Sequence, residues 1–343
     1  MAVPPLYDHH FARPLDDEPV FVVGLGRSGT TLLRLMLHAS PELAMLSETW
    51  WGPRVWDRRW GFPMRDPVEP FRTRLVDGWV ELLGKEDDFP QDLAAHRAAL
   101  LAGPADLGLF LADLGRRWAA DQGAGRWGEK TPVHVHHLRV LHHVFPALRV
   151  VHLVRDPRDV AASLVRAPFA ASVDPVGFAV EWRRTLEHAD AQVAADPALA
   201  DAVLQVRYED LVRTPAEVVE QVAAHVGVPA VPAMLDPQAQ AARFSPDQPW
   251  MAATHQPISD RSVGRWRDDL APDDVAVIEG LCADRMAALG YEPSLPADEL
   301  AAARRVADRL WHGVEADRHE QARATADHVA MHRGTYRDLL ETR

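Results

Sequence analysis

Three short stretches hold the residues that could do chemistry. Residues 24 to 31 read Gly-Leu-Gly-Arg-Ser-Gly-Thr-Thr, directly after the apolar run Val20 to Val23. Glycines let a backbone wrap an anion, and N–H groups at the start of a following helix point at it. The nucleotide loop G-x-x-x-x-G-K-[ST] has its glycines matched by Gly24 and Gly29 and its hydroxyl by Thr31, but Thr30 stands where that pattern has lysine. The cation that reaches the β- and γ-phosphates of a triphosphate is therefore missing. Arg27, inside the loop, offers a cation at another place, and Ser28 and Thr30 add hydroxyls. The plain alternative is a tight strand-to-helix turn that binds nothing.

The second stretch, residues 151 to 163, is Val-His-Leu-Val-Arg-Asp-Pro-Arg-Asp-Val-Ala-Ala-Ser. Arg155 leaves the end of an apolar run, and Ser163 follows eight residues later on the next helix. A fork-shaped guanidinium matches a phosphate, and a hydroxyl adds a neutral donor. Alternatively Arg155 pairs with Asp156 or Asp159 in a surface network. Arg158 and Asp159 are expected to cap or brace the helix.

The third group is dispersed. Glu48 sits in Ser-Glu-Thr-Trp among Leu46, Trp50 and Trp51, where burial would raise a carboxyl pKa and suit a base. It could equally be a surface carboxylate or a partner of Arg54. Lys130, in Gly-Glu-Lys-Thr-Pro, is one of only two lysines, the other being Lys85, in a chain that otherwise uses arginine. His134, His136 and His137 offer a rival base. Helical spacing separates His136 from the other two, and no carboxylate or cysteine pattern completes a zinc site. Tyr208 presents a flat ring with a polar tip, suited to a nucleobase edge or to a core. Arg261 and Arg265 flank a glycine in Arg-Ser-Val-Gly-Arg-Trp. Trp50, Trp51, Trp56 and Trp60 would line an acceptor pocket or belong to the core.

The elements that must position these groups alternate. Val20–Gly24 reads as a buried parallel strand, and Thr30–Ala39 as a helix apolar nearly all round. Two or three helices are expected between Asp66 and Gln122, with breaks near Phe89-Pro90 and Gly103-Pro104. Helix is expected over Pro132–Phe145, strand over Leu148–Val154, and helix over Pro157–Val165 and Pro175–Ala195. A third strand at Ala202–Val206 precedes a helix over Pro215–Val226. Asp236–Val263 reads as a long loop, Ala271–Leu289 as a helix, and the tail from Pro296 as helix with an apolar stripe at Val306, Leu310, Trp311 and Val314. This order predicts an α/β fold, P-loop-like, with three α/β/α layers, a central parallel sheet and a C-terminal helical tail. The expected division is an N-terminal extension 1–18, a main domain 19–295 and a tail 296–343.

Arg-Ser-Gly-Thr-Thr after a buried strand resembles the 5′-phosphosulfate loop of sulfotransferases that use 3′-phosphoadenosine-5′-phosphosulfate (PAPS). It is most similar to the branch containing tyrosylprotein sulfotransferases and many bacterial enzymes, which carries arginine where cytosolic sulfotransferases carry lysine. The resemblance implies that Arg27, Ser28, Gly29, Thr30 and Thr31 bind the donor's 5′ end. It implies that Arg155 and Ser163 hold its 3′-phosphate, with Arg261 and Arg265 as further candidates, and that Tyr208 lies near the adenine. Sulfuryl transfer needs a base, cations on the transferring group and in-line placement, and needs no metal. Glu48, twenty-one residues after Arg27, matches the proposed base of tyrosylprotein sulfotransferases. Lys130 matches the lysine that bridges sulfuryl and 5′-phosphate oxygens, and Arg27 would share that charge. Cytosolic members use a histidine base, so one of the three histidines stays open. The matched motifs run from Val20 to about Trp266 and do not identify the acceptor, expected to be a small hydroxylated molecule. Two other readings compete: a P-loop nucleotide kinase or NTPase, which needs the absent lysine, and a non-catalytic nucleotide-binding assembly protein.

Composition sets the outer bounds. With 343 residues, 47% of them hydrophobic, the chain can bury a sizeable core without staples. A formal net charge of −13 makes it a poor non-specific nucleic-acid binder, so any anion site must be a local concentration of cations. The single cysteine, Cys282, forbids an internal disulfide. No signal peptide and no apolar run of about 18 residues is evident, so a cytoplasmic protein without a membrane span is expected. The tail is expected to pack on the domain or to join two copies.

Overall fold

A computed structural model describes residues 12–57, 69–84, 89, 92–166, 174–241, 254–313 and 315. Trp60, Lys85, Pro90, Val314, the first eleven residues of the N-terminal extension and the middle of the 236–263 loop fall outside them.

Among the described residues, five strands form one sheet: β1 Val20–Gly24, β2 Leu43–Leu46, β3 Arg126–Lys130, β4 Arg149–Val154 and β5 Val203–Arg207. Their order is β2-β3-β1-β4-β5, and every pairing is parallel. β1 lies at the centre and is buried along its whole length, which is why it reads as an uninterrupted apolar run. Its alternate residues serve opposite faces. Phe21 and Val23 join one core cluster, with Ala44, Leu46, Leu111, Leu138 and Val144. Val20 and Val22 join another, with Leu33, Met36, Val219 and Val222. Helices therefore cover both faces, giving the expected three layers.

The first face is covered by Glu69–Leu83, Gly108–Gln122 and Leu138–Val144, and the second by Thr30–His38 and Pro215–Val226. A third cluster joins Pro157–Val165, Pro175–Ala194 and Pro272–Ala288 around Trp182, Ile278, Leu281 and Cys282. The tail begins as a helix over 297–313 that packs on this cluster through Ala307 and Trp311. The guanidinium of Arg183 lies 4.0 Å from the Trp311 ring centroid. Val306 and Leu310, the other members of the described stripe, are exposed.

The structure departs from the sequence reading in several elements. β2 and β3 were not anticipated. The segment expected as one helix over Pro132–Phe145 is a 3-10 helix, Pro132–His137, followed by the α-helix Leu138–Val144. Short helices also occur at Pro197–Ala202 and Tyr208–Arg213. Among the described residues, no helix is long and apolar enough to cross a membrane.

Candidate active site

Parallel pairing aligns the carboxyl ends of all five strands along one edge, and the candidate residues follow them in spatial order. Glu48 lies two residues past β2, Lys130 ends β3, and the 24–31 loop leaves β1. Arg155 follows β4, and Tyr208 follows β5. The register puts Lys130 beside Val22 and Leu153 beside Gly24. Open α/β sheets bind ligands at this end.

The loop turns sharply. Gly29 has φ 89°, and a Cβ there would lie 2.3 Å from the Tyr208 ring, so the backbone approaches that ring as only glycine allows. Arg27 also adopts a positive φ, 72°, unusual for a residue with a side chain. The helix Thr30–His38 then starts with no side-chain cap and no acidic residue in its first turn. Its positive end is thereby left to the loop. Ser28 and Thr30 are buried and Thr31 is half-buried. The Ser28 Oγ is buried without a hydrogen-bond partner among the described residues.

The two anion motifs meet. Arg27 Nε donates to Ser163 Oγ at 3.1 Å, and Arg155 Nη1 donates to the Arg27 carbonyl at 3.0 Å. Arg155 Nη2 donates to the Ser262 carbonyl at 2.6 Å, and its guanidinium carbon sits 4.5 Å from the Tyr208 ring centroid. Its Nε is buried and lacks a partner among the described residues. Tyr208 Oη and Ser262 Oγ are 2.7 Å apart. Burial, with the charges of Arg155 and Arg265 close by, pushes the Arg27 guanidinium below its usual range. Three arginines thus share one corner of a chain whose net charge is negative, the local concentration that an anion site requires.

Arg155 does not pair with Asp156 or Asp159. Asp156 is bound twice by Arg158, whose Nη1 also reaches Glu279 at 2.6 Å. Arg265 ties to Asp269 at 2.9 Å. Arg261 is exposed, and among the described residues no hydrogen bond or ion pair draws it into the cluster.

Lys130 Nζ lies 2.5 Å from Glu48 Oε1. This pair replaces the contact with Arg54 considered from the sequence. The lysine side chain is 1% exposed and the glutamate 28%, so the carboxylate is the member open to a second molecule. Behind them is a buried network that sequence reasoning missed. Glu129 accepts from Thr49 Oγ1 at 3.0 Å and from Thr131 Oγ1 at 2.7 Å, and it meets His134 Nδ1 at 2.5 Å. Gly52 N–H donates to His134 Nε2 at 2.9 Å. That bond makes Nε2 an acceptor, so Nδ1 carries the proton and donates it to Glu129. Thr131 Oγ1 in turn accepts from the Thr49 N–H at 2.9 Å. The network pins the backbone on the C-terminal side of Glu48.

The other histidines are also engaged. His137 Nε2 lies 3.1 Å from both Asp57 oxygens, and His136 Nδ1 lies 3.1 Å from His188 Nδ1. Among the described residues no group of three or more ligands is arranged for a metal. Trp51 and Trp56 are core residues, whereas Trp50 is half-buried with φ 54°.

Comparison with known proteins gives this fold and edge a class: residues 19–232 match the model of the sulfotransferase family, and the chain belongs to that family. Nodulation protein NoeE of Sinorhizobium fredii is 28% identical over 80% of this chain, which spans 66% of that protein. Protein-tyrosine sulfotransferase 1 of Danio rerio is 25% identical over 80% of this chain and 72% of its own. Among solved structures, the sulfotransferase domain of the Synechococcus PCC 7002 olefin synthase aligns with TM-score 0.57 and 24% identity, covering 83% of this chain and 99% of that domain.

Proposed function

We propose that this chain transfers a sulfuryl group from PAPS to the hydroxyl of a small acceptor, with Glu48 as general base. The observation that carries the reading is the line of Glu48, Lys130, the glycine loop, Arg155 and Tyr208 along the carboxyl edge of one parallel sheet. The residues fit a nucleotide with two separated anionic ends. The close Gly29 approach makes a cradle that a side chain would fill, and Ser28 Oγ and Arg155 Nε are buried polar atoms with hydrogen-bonding capacity to spare. Arg27, Ser28, Gly29, Thr30 and Thr31 would hold the 5′ end. Arg155, Ser163 and the segment carrying Arg261 and Arg265 would hold the 3′-phosphate, with Tyr208 beside the base.

The donor supplies a sulfuryl group on an anhydride to phosphate. Glu48, the more exposed member of its pair, takes the acceptor's hydroxyl proton on a carboxylate oxygen. Lys130, fixed by burial beside it, and Arg27 set positive charge where negative charge develops. The Glu129 network keeps the Glu48 turn from drifting, which preserves alignment.

A kinase or NTPase is disfavoured by two observations. Thr30 occupies the lysine position, and both Asp156 oxygens are committed to Arg158, leaving no free carboxylate at the end of β4 for Mg²⁺. Calorimetric titration with 3′-phosphoadenosine-5′-phosphate, ADP, and ATP with Mg²⁺ tests the choice. Tight, metal-independent binding of the 3′-phosphorylated nucleotide alone is expected. Preference for ATP with Mg²⁺ would overturn the proposal.

A further inference from the structure

Asp159 lies in the first turn of the helix Pro157–Val165 and is 1% exposed. The sequence suggested that it caps or braces that helix, but Asp156 is the N-cap, accepting from the Arg158 N–H. Asp159 instead turns both oxygens toward a segment more than a hundred residues away. Oδ2 accepts from the Gly264 N–H at 2.7 Å, and Oδ1 accepts from the Trp266 N–H at 3.1 Å. Beside it, the Arg158 guanidinium, held by Asp156 and Glu279, lies 4.3 Å from the Trp266 ring centroid.

Those anchors bracket the residues that close the anion corner. Arg265 sits between the two bound N–H groups and is near enough for its charge to bear on Arg27. Two residues before Gly264, Ser262 takes Arg155 Nη2 on its carbonyl and meets Tyr208 with its hydroxyl. A buried carboxylate beside an anion site is electrostatically adverse, and Arg155 is close enough to feel its charge. Burial also pushes the Asp159 carboxyl above its usual range. The residue is intelligible only if what it holds outweighs that cost.

We propose that Asp159 is a positioning residue for the 3′-phosphate grip: it touches no ligand but fixes residues 262–266, so that Ser262 orients Arg155 and Arg265 stays beside Arg27. This rests on the PAPS reading, so the test separates the two. The affinities of 3′-phosphoadenosine-5′-phosphate and of adenosine 5′-monophosphate, which lacks the 3′-phosphate, would be measured for the natural chain and for Asp159→Asn. Asparagine keeps the shape but turns an N–H group toward a donor. The expected result is a loss on the order of ten-fold or more for the 3′-phosphorylated nucleotide, with adenosine monophosphate binding nearly unchanged. If the natural chain shows no preference for the 3′-phosphate, the donor reading fails and the inference falls with it. If the preference exists and Asp159→Asn keeps or strengthens it, the positioning role alone is wrong. Hydrogen exchange on the natural chain covers the case of a variant that does not fold. The Gly264 and Trp266 amides must be protected without ligand, and exchange at the rate of an exposed loop would overturn the proposal.

Discussion

Glu48, just past β2, and Lys130, at the end of β3, lie eighty-two positions apart in the chain yet share a hydrogen bond at 2.5 Å. The glutamate's chemistry can be separated from its packing by Glu48→Gln, which keeps the shape and removes the basic oxygen. Turnover, read as release of 3′-phosphoadenosine-5′-phosphate with a panel of hydroxylated acceptors, is expected to fall about 10²-fold or more. Nucleotide affinity should stay within about two-fold. Unchanged turnover would move the base elsewhere. His134 is a poor successor, because one nitrogen accepts from Gly52 and the other donates to Glu129. At this scale the sequence was legible where a motif is local: the loop and the Arg155–Ser163 spacing both land in one corner. It was opaque where a role depends on distant partners. Nothing in Glu129 itself announces that Thr49, Thr131 and His134 converge on it, and Asp159 reads as a helix brace until Gly264 and Trp266 come into view.

The strands that escaped the sequence reading failed for opposite reasons. β2, Leu-Ala-Met-Leu, is built from good helix formers and is only four residues long. β3, Arg-Trp-Gly-Glu-Lys, holds three charged residues and a glycine, so no strand-like alternation of apolar and polar residues appears. Tertiary pairing overrides both. β3 lies between β1 and β2, and its buried charges are met by the Glu48 turn and His134. The helix Gly108–Gln122 packs on this strand through Gly115, where a Cβ would lie 2.2 Å from the Trp127 ring. Gly→Ala inside an exposed helix gains about 1 kcal/mol. Here the Trp127 ring cannot step aside, since Phe21 and Phe145 hold it edge-on at 6.1 and 5.4 Å. Gly115→Ala is therefore expected to destabilise by roughly 1–3 kcal/mol, seen as a lower urea midpoint with an unchanged slope. A rise in the midpoint would show that the helix can shift off the strand.

For the whole molecule, the alternation of strands and helices was enough to give three layers and a parallel sheet, because the apolar runs of β1 and β4 and the helices that follow them mark buried faces. What the pattern hides is which polar groups the layers swallow. His152 is one: it sits inside β4, 3% exposed, between strands β1 and β5. Burial lowers its pKa to about 4, and the nearby His136 pushes the same way. An unfolded histidine titrates near 6.5, so between these values the unfolded chain binds the extra proton. Stability from the neutral imidazole is thus fully present above about pH 6.5 and is lost as pH falls toward 4, a difference of roughly 3 kcal/mol. Other buried groups act with the opposite sign. The carboxyls of Asp106, Asp159 and Glu209 are all raised by burial and favour the folded chain as they protonate. The net pH profile alone therefore does not isolate His152. Comparing the natural chain with His152→Leu does, because the carboxyl contributions cancel in the difference. Urea unfolding at several pH values should show the variant gaining on the natural chain by roughly 3 kcal/mol between pH 7 and pH 4. A difference that stays flat across that interval would mean that the imidazole reaches water or a proton acceptor in the folded chain, and that the layer over β4 opens more readily than its packing implies.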